Sequence, residues 1–171
     1  MDPLVIALRL VHVVSGVLWV GSMFFTTIFL VPSMQEAGPD SAKVMAGLQK
    51  RGMMTVVPVL AVATILSGVW FYWRDSNGFD PAYSTSGVGL AFGLGGVAAI
   101  IAYAIGITTV RPSMVRAGML AQQLAQAPQG GEREAQITEI GRLRARAGAA
   151  GRVVLGLLLF AAAAMAVARY L

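Results

Sequence analysis

Apolar residues in this chain do not alternate with polar ones. They run on for about 20 positions at a time in four places, over about 4–31, 53–73, 87–110 and 152–170. A helix rising about 1.5 Å per residue needs roughly 20 such positions to cross the roughly 30 Å hydrocarbon layer of a bilayer. Membrane β-strands would appear as short alternating segments, which these are not. The pattern therefore predicts four spanning helices. Between them, "DSNGFDPAYSTSG" (75–87) is turn-rich and contains Asn77-Gly78. "MVRAGMLAQQLAQ" and "REAQITEIGRLRARAG" are rich in helix formers and are separated by the breaker "APQGG" (127–131). Ile137, Ile140 and Ala147 recur at near-helical spacing. Spans three and four are thus expected to continue as a helical hairpin over about 112–151. Asp40 or Ser41 is expected to cap a shorter helix running to about residue 51.

The two halves resemble each other. "PSMQEAG" (32–38) and "PSMVRAG" (112–118) agree at five of seven positions, and each directly follows an odd-numbered span. Each leads through a polar stretch and a basic cluster, "QKRG" or "ARAG", into another apolar run. The expected fold class is all-α: an integral membrane four-helix bundle in one domain, 1–171, built by tandem duplication of a transmembrane hairpin.

Charge orients it. Of the 13 Lys and Arg, ten lie in the connections 31–52 and 111–152; only Arg9, Arg74 and Arg169 lie on the other side. The positive-inside rule puts both long connections in the cytoplasm and both termini outside. The +5 net charge then reports orientation, and nucleic acid is not an expected partner. Composition agrees: 57% of the chain is hydrophobic and only 12% charged, with mean hydropathy +0.71. A soluble domain would be nearer a quarter charged. The first run is longer than a signal-peptide core and no small-residue cleavage site follows, so it is read as a retained helix. The 171 residues include no cysteine, which excludes disulfides, thiolate metal sites and cysteine nucleophiles.

The first span is two-faced at 100° per residue. Around His12 fall Arg9, Ser15, Gly16, Trp19, Ser22, Met23, Thr26 and Thr27; opposite fall Leu10, Val14, Val17, Phe24, Phe25 and Ile28. The aliphatic face suits lipid and the small, polar face suits protein. Gly21 falls on the lipid side. Thr64, Ser67, Gly68 and Phe71 make a matching stripe on span two, where Pro58 is a candidate kink. Helix packing is expected at Gly89, Gly93 and Gly96, then Ala102 and Gly106. "VWFYWR" (69–74) reads as an interfacial aromatic belt.

His12 is the only histidine, and an ionisable residue inside a span is a functional candidate. Three roles compete: a neutral hydrogen-bonded tie between helices, an axial ligand to haem iron or a (bacterio)chlorophyll magnesium, and a proton relay. One histidine excludes bis-histidine haem. A His/Met pair would need a methionine at matching depth. Met23 lies about 16 Å along the axis, and Met165 is the better-placed candidate. Thioethers also select Cu(I), but methionine is an ordinary filler of apolar cores. No span carries a mid-membrane Asp or Glu, and no nucleophile–base set or phosphate loop is visible.

"LRLVHVVSGVLWVGSMFF" (8–25), with His12, Trp19 and Gly21, resembles the first helix of the CopD/HemJ-like superfamily of bacterial membrane proteins. That superfamily includes the copper-resistance protein D family, the HemJ-type protoporphyrinogen oxidases and several uncharacterised families. "TILSGVWFYW" (64–73) resembles the second helix of the uncharacterised members. The resemblance implies a bacterial inner-membrane helical protein. In its oxidase branch it implies b-type haem on the helix-one histidine, here His12. The chain differs from that branch in lacking a mid-membrane lysine and a second histidine, and from the copper branch in its poverty of histidine.

The resulting expectation is a non-catalytic accessory subunit of a larger respiratory or photosynthetic membrane complex, with the bilayer and other membrane subunits as partners. The alternatives are a haem b or other tetrapyrrole protein using His12, with Trp19, Gly16 and Met165 beside it, and a copper-related transporter.

Overall fold

The computed structural model of the protein describes residues 2–38, 41–124 and 131–171. These are almost entirely helical, and no strand occurs among them. The helices are α1 (Pro3–Glu36), α2 (Ser41–Lys50), α3 (Met53–Asp75), α4 (Pro81–Ser84), α5 (Gly87–Leu124) and α6 (Gly131–Val167), which ends in a 3₁₀ turn at Ala168–Tyr170. Four of them, α1, α3, α5 and α6, are long and apolar enough to cross a membrane. The protein is a multi-pass membrane protein built as a four-helix bundle.

Local chemistry sets the helix ends. The Asp2 carboxylate accepts the Leu4 amide at 2.9 Å, with Pro3 in the first turn. Ser86 Oγ accepts the Gly89 amide at 3.1 Å and starts α5. Ser41 opens α2 and its hydroxyl donates to the Gly38 carbonyl at 2.6 Å. The expected cap at Asp40 and the breaker at 127–130 lie outside the described residues. Gly52, at φ 79, turns the chain from α2 into α3. Pro58 stands inside α3, which runs unbroken past it.

The spans form a ring in the order α1, α3, α5, α6. The seams within each hairpin, α1 with α3 and α5 with α6, are much more extensive than those between hairpins. Trp19 is the one large aromatic of the core, 4% exposed, among Ala61, Ala98, Ala99, Ala102, Val154, Leu158 and Ala161. The aliphatic face of α1 is outside, as the periodicity predicts: Leu10, Val14, Val17, Phe24, Phe25 and Ile28 are all exposed. Ser15 and Trp19 are buried.

The repeat has a structural signature. In α1 the Val31 amide reaches back five residues to the Thr26 carbonyl, and in α5 the Arg111 amide does the same to Gly106. These π turns, Thr26–Leu30 and Gly106–Val110, stand 80 residues apart, the same offset as the two PSM motifs. Each precedes a proline, Pro32 or Pro112. A proline offers no amide to the carbonyl four residues back and its ring crowds that carbonyl, which a widened turn relieves.

Beyond the π turns, α5 and α6 continue together. Ala117, Ile140 and Leu143 form a small core with Leu120, Ala121 and Leu124 packed on it. Ile137, read from the sequence as part of this face, is 52% exposed. Spacings of three and four residues through Ile140, Leu143 and Ala147 leave it about 90° off the middle of the buried stripe. Glu139 accepts two hydrogen bonds from Arg142, at 2.8 and 2.9 Å.

Candidate functional site

His12 binds one helix to another. Its Nδ1 lies 2.8 Å from the Thr64 carbonyl and 3.1 Å from Ser67 Oγ, both on α3. A carbonyl only accepts, so Nδ1 carries a proton, and in the neutral imidazole the lone pair is then on Nε2. One turn further in, the Ser15 and Thr64 hydroxyls hydrogen-bond at 2.8 Å. Gly16 packs its bare Cα against the Thr64 methyl. Gly68 admits the imidazole: a Cβ there would stand 2.9 Å from His12 Cε1. Phe71 meets the ring edge-on at 6.1 Å. The stripe Thr64, Ser67, Gly68, Phe71 is thus the socket for His12. Nε2 has no hydrogen-bond partner among the described residues.

The other sequence candidates fall elsewhere. Trp19 is in the bundle core, seven residues and about 10 Å along the axis from His12. Met165 packs on Gly95 in the seam between α5 and α6, whereas His12 is in the seam between α1 and α3. Gly93 lies under the Tyr72 ring, with Oη 3.3 Å from where a Cβ would be. Ala102 is fully buried. Gly89 has the Tyr83 carbonyl oxygen 1.9 Å from a notional Cβ, so α4 folds back onto α5 only because that residue is glycine. Gly96, Gly106 and Gly21 face open space. Gly95 makes the contact with α6 instead, because it shares a helix face with Ala98, Ala99 and Ala102.

A second site was not legible in any one segment. The thin contact between hairpins leaves a crevice of about 510 Å³. Trp19, Ala61 and Ala102 form its inner end. Both π turns wall it, through Thr26, Thr27 and Leu30 on one side and Gly106, Ile107 and Val110 on the other. Six of the nine methionines line it, Met23, Met34, Met45, Met53, Met54 and Met114, so residues scattered over 92 positions meet in one place. Arg111, Arg144 and Arg152 also line it, and no Asp or Glu among the described residues does. The only sequence signal for this was the spacing Arg144, Gly148, Arg152, one helix stripe at i, i+4, i+8. His12 is not among its lining residues. No group of three His, Asp or Glu side chains fit to hold a metal occurs among the described residues.

Comparison with protein-family models, with curated proteins and with solved structures finds no match for this chain.

Proposed function

We propose that this protein is a non-catalytic accessory subunit of a larger membrane assembly, of the respiratory or photosynthetic kind, in a bacterial inner membrane. The basic connections face the cytoplasm and the termini face out. The observation that carries the reading is a groove on the lipid-facing side of α5 and α6, lined only by apolar or small residues, among them Leu90, Leu94, Phe160, Ala163, Ala164 and Val167. Small residues let a partner helix approach closely, and close van der Waals packing is what holds helices together where lipid is as apolar as leucine. Gly96 and Gly156, with nothing over their Cα atoms, add bare backbone on the same two helices. The test is the native mass of the untagged protein extracted in mild detergent, with Ala163→Trp as the groove-filling variant. A defined complex with other membrane chains, lost in Ala163→Trp while the fold is retained, is the expected result. A stable native monomer would overturn the reading.

A second reading is favoured by the free Nε2 of His12. A ligating imidazole ordinarily donates its other N–H to a carbonyl or carboxylate, which fixes the ring, and Thr64 does this here. Met165 lies in the other seam and no second histidine exists, so His12 would be the single protein ligand of a tetrapyrrole. Such a group would supply electron transfer or light absorption. The absorption spectrum of the purified protein tests it: a Soret-type band abolished by His12→Ala supports the reading, and no band sinks it.

A further inference from the structure

We propose that the crevice between the two hairpins holds one anionic phospholipid, with its head group at Arg111, Arg144 and Arg152 and an acyl chain reaching in towards Trp19. Three observations carry this. First, Arg111, Arg144 and Arg152 all line the crevice, no Asp or Glu among the described residues does, and none of the three has an acidic partner among the described residues. Arginine matches phosphate geometry with paired N–H donors. Second, the walls behind them are apolar and methionine-rich, a flexible lining that adapts to an irregular chain. Third, the depth fits. From Trp19 to Gln35, both lining residues, α1 rises about 24 Å. That covers one leaflet of about 15 Å, half of a roughly 30 Å core, together with its head-group layer.

The same charges decide against a metal cation on the methionines, because three fixed positive groups share the cavity with the thioethers. The site is built symmetrically and charged asymmetrically. Met34 and Met114 are repeat equivalents, and both line it, but Val31 of the first repeat is replaced by Arg111 in the second. The head group therefore lies towards the α5–α6 side, where Arg144 and Arg152 also stand.

The experiment uses the full chain with Trp70→Phe and Trp73→Phe, leaving Trp19 as the reporter. It is placed in phosphatidylcholine nanodiscs containing a minor fraction of lipid brominated in the acyl chain. Brominated phosphatidylglycerol is expected to quench Trp19 severalfold more than brominated phosphatidylcholine at the same fraction. Arg111→Gln/Arg144→Gln/Arg152→Gln should abolish that preference. Gly148→Leu, which fills the crevice without changing charge, should abolish it too. Arg116→Gln/Arg146→Gln, which neutralises two arginines outside the crevice, should leave it. Equal quenching by the two lipids in the parent overturns the proposal. So does equal loss in the Arg116/Arg146 variant, which would mean that the anionic lipid gathers around the protein rather than inside it.

Discussion

The imidazole of His12 lies against Gly68, held by a 2.8 Å hydrogen bond to the Thr64 carbonyl. Ring and glycine are one fitting. Gly68→Ala would place a methyl 2.9 Å from Cε1 and push the imidazole off its carbonyl. An interhelical hydrogen bond in a membrane bundle contributes on average about 0.6 kcal/mol, and up to about 1.7. Gly68→Ala and His12→Ala are each expected to destabilise by at least this amount in denaturant titrations of the detergent-solubilised protein. The double variant should cost less than the sum, because one contact is lost twice. Strict additivity would show that the two residues act separately.

Two glycines on α5 separate close approach from open surface. Gly89→Ala has no room, with the Tyr83 carbonyl oxygen 1.9 Å from the new methyl. It should detach α4 and make the segment 76–86 sensitive to protease. Gly96→Ala meets nothing within 4 Å and should gain up to about 1 kcal/mol of helix propensity. Equal melting temperatures for the two variants would contradict this placement.

Tyr83 gives the aromatic end a pH dependence. Burial, and then the nearby Asp75 carboxylate, raises its phenol above the ordinary 10.0. The fold thus favours the neutral phenol. Its contribution to stability is complete below pH 10.0 and is lost as pH rises through the higher folded value. A phenolate absorbance titration should show one of the four tyrosines ionising late, and Tyr83→Phe should remove that step. Unchanged titration in Tyr83→Phe would refute the assignment.

At the basic end, Leu143 is 6% exposed and Ile137 is 52% exposed. Leu143→Ala should cost about 2–5 kcal/mol locally, and Ile137→Ala almost nothing. Limited proteolysis of the α5–α6 extension reads the difference.

Because the chain has no cysteine, its orientation is directly measurable. Thr85→Cys, in the exposed short connection, should react with a membrane-impermeant maleimide in intact cells. Ala135→Cys, in the long basic connection, should react only after permeabilisation. The reverse pattern would invert the orientation.

The features legible in the sequence were those carried by one segment. Four spans, the lipid face of α1 and the helical extensions of α5 and α6 all follow from hydropathy and period, and bilayer thickness constrains both. The PSM repeat marked where the π turns fall but not that they are π turns, since a widened turn has no composition of its own. Register across a seam was not legible. Gly96 and Gly95 are equal as letters, and only the position of Ala161 on α6 makes Gly95 the contact. The crevice was the least legible feature. Met23, Met54 and Met114 read singly as core fillers, and only the spacing between two hairpins puts them around one cavity.

The π turns also divide the labour within a single rod. Each holds one more residue than an α turn would, so the register of the membrane part of α1 or α5 is set independently of the part beyond it. Deleting one residue from Thr26–Leu30 would close the widened turn into an ordinary α turn and take up the loss there, leaving the His12 seam where it is. The long helices are therefore each two phased segments, joined end to end like shafts with an adjustable coupling.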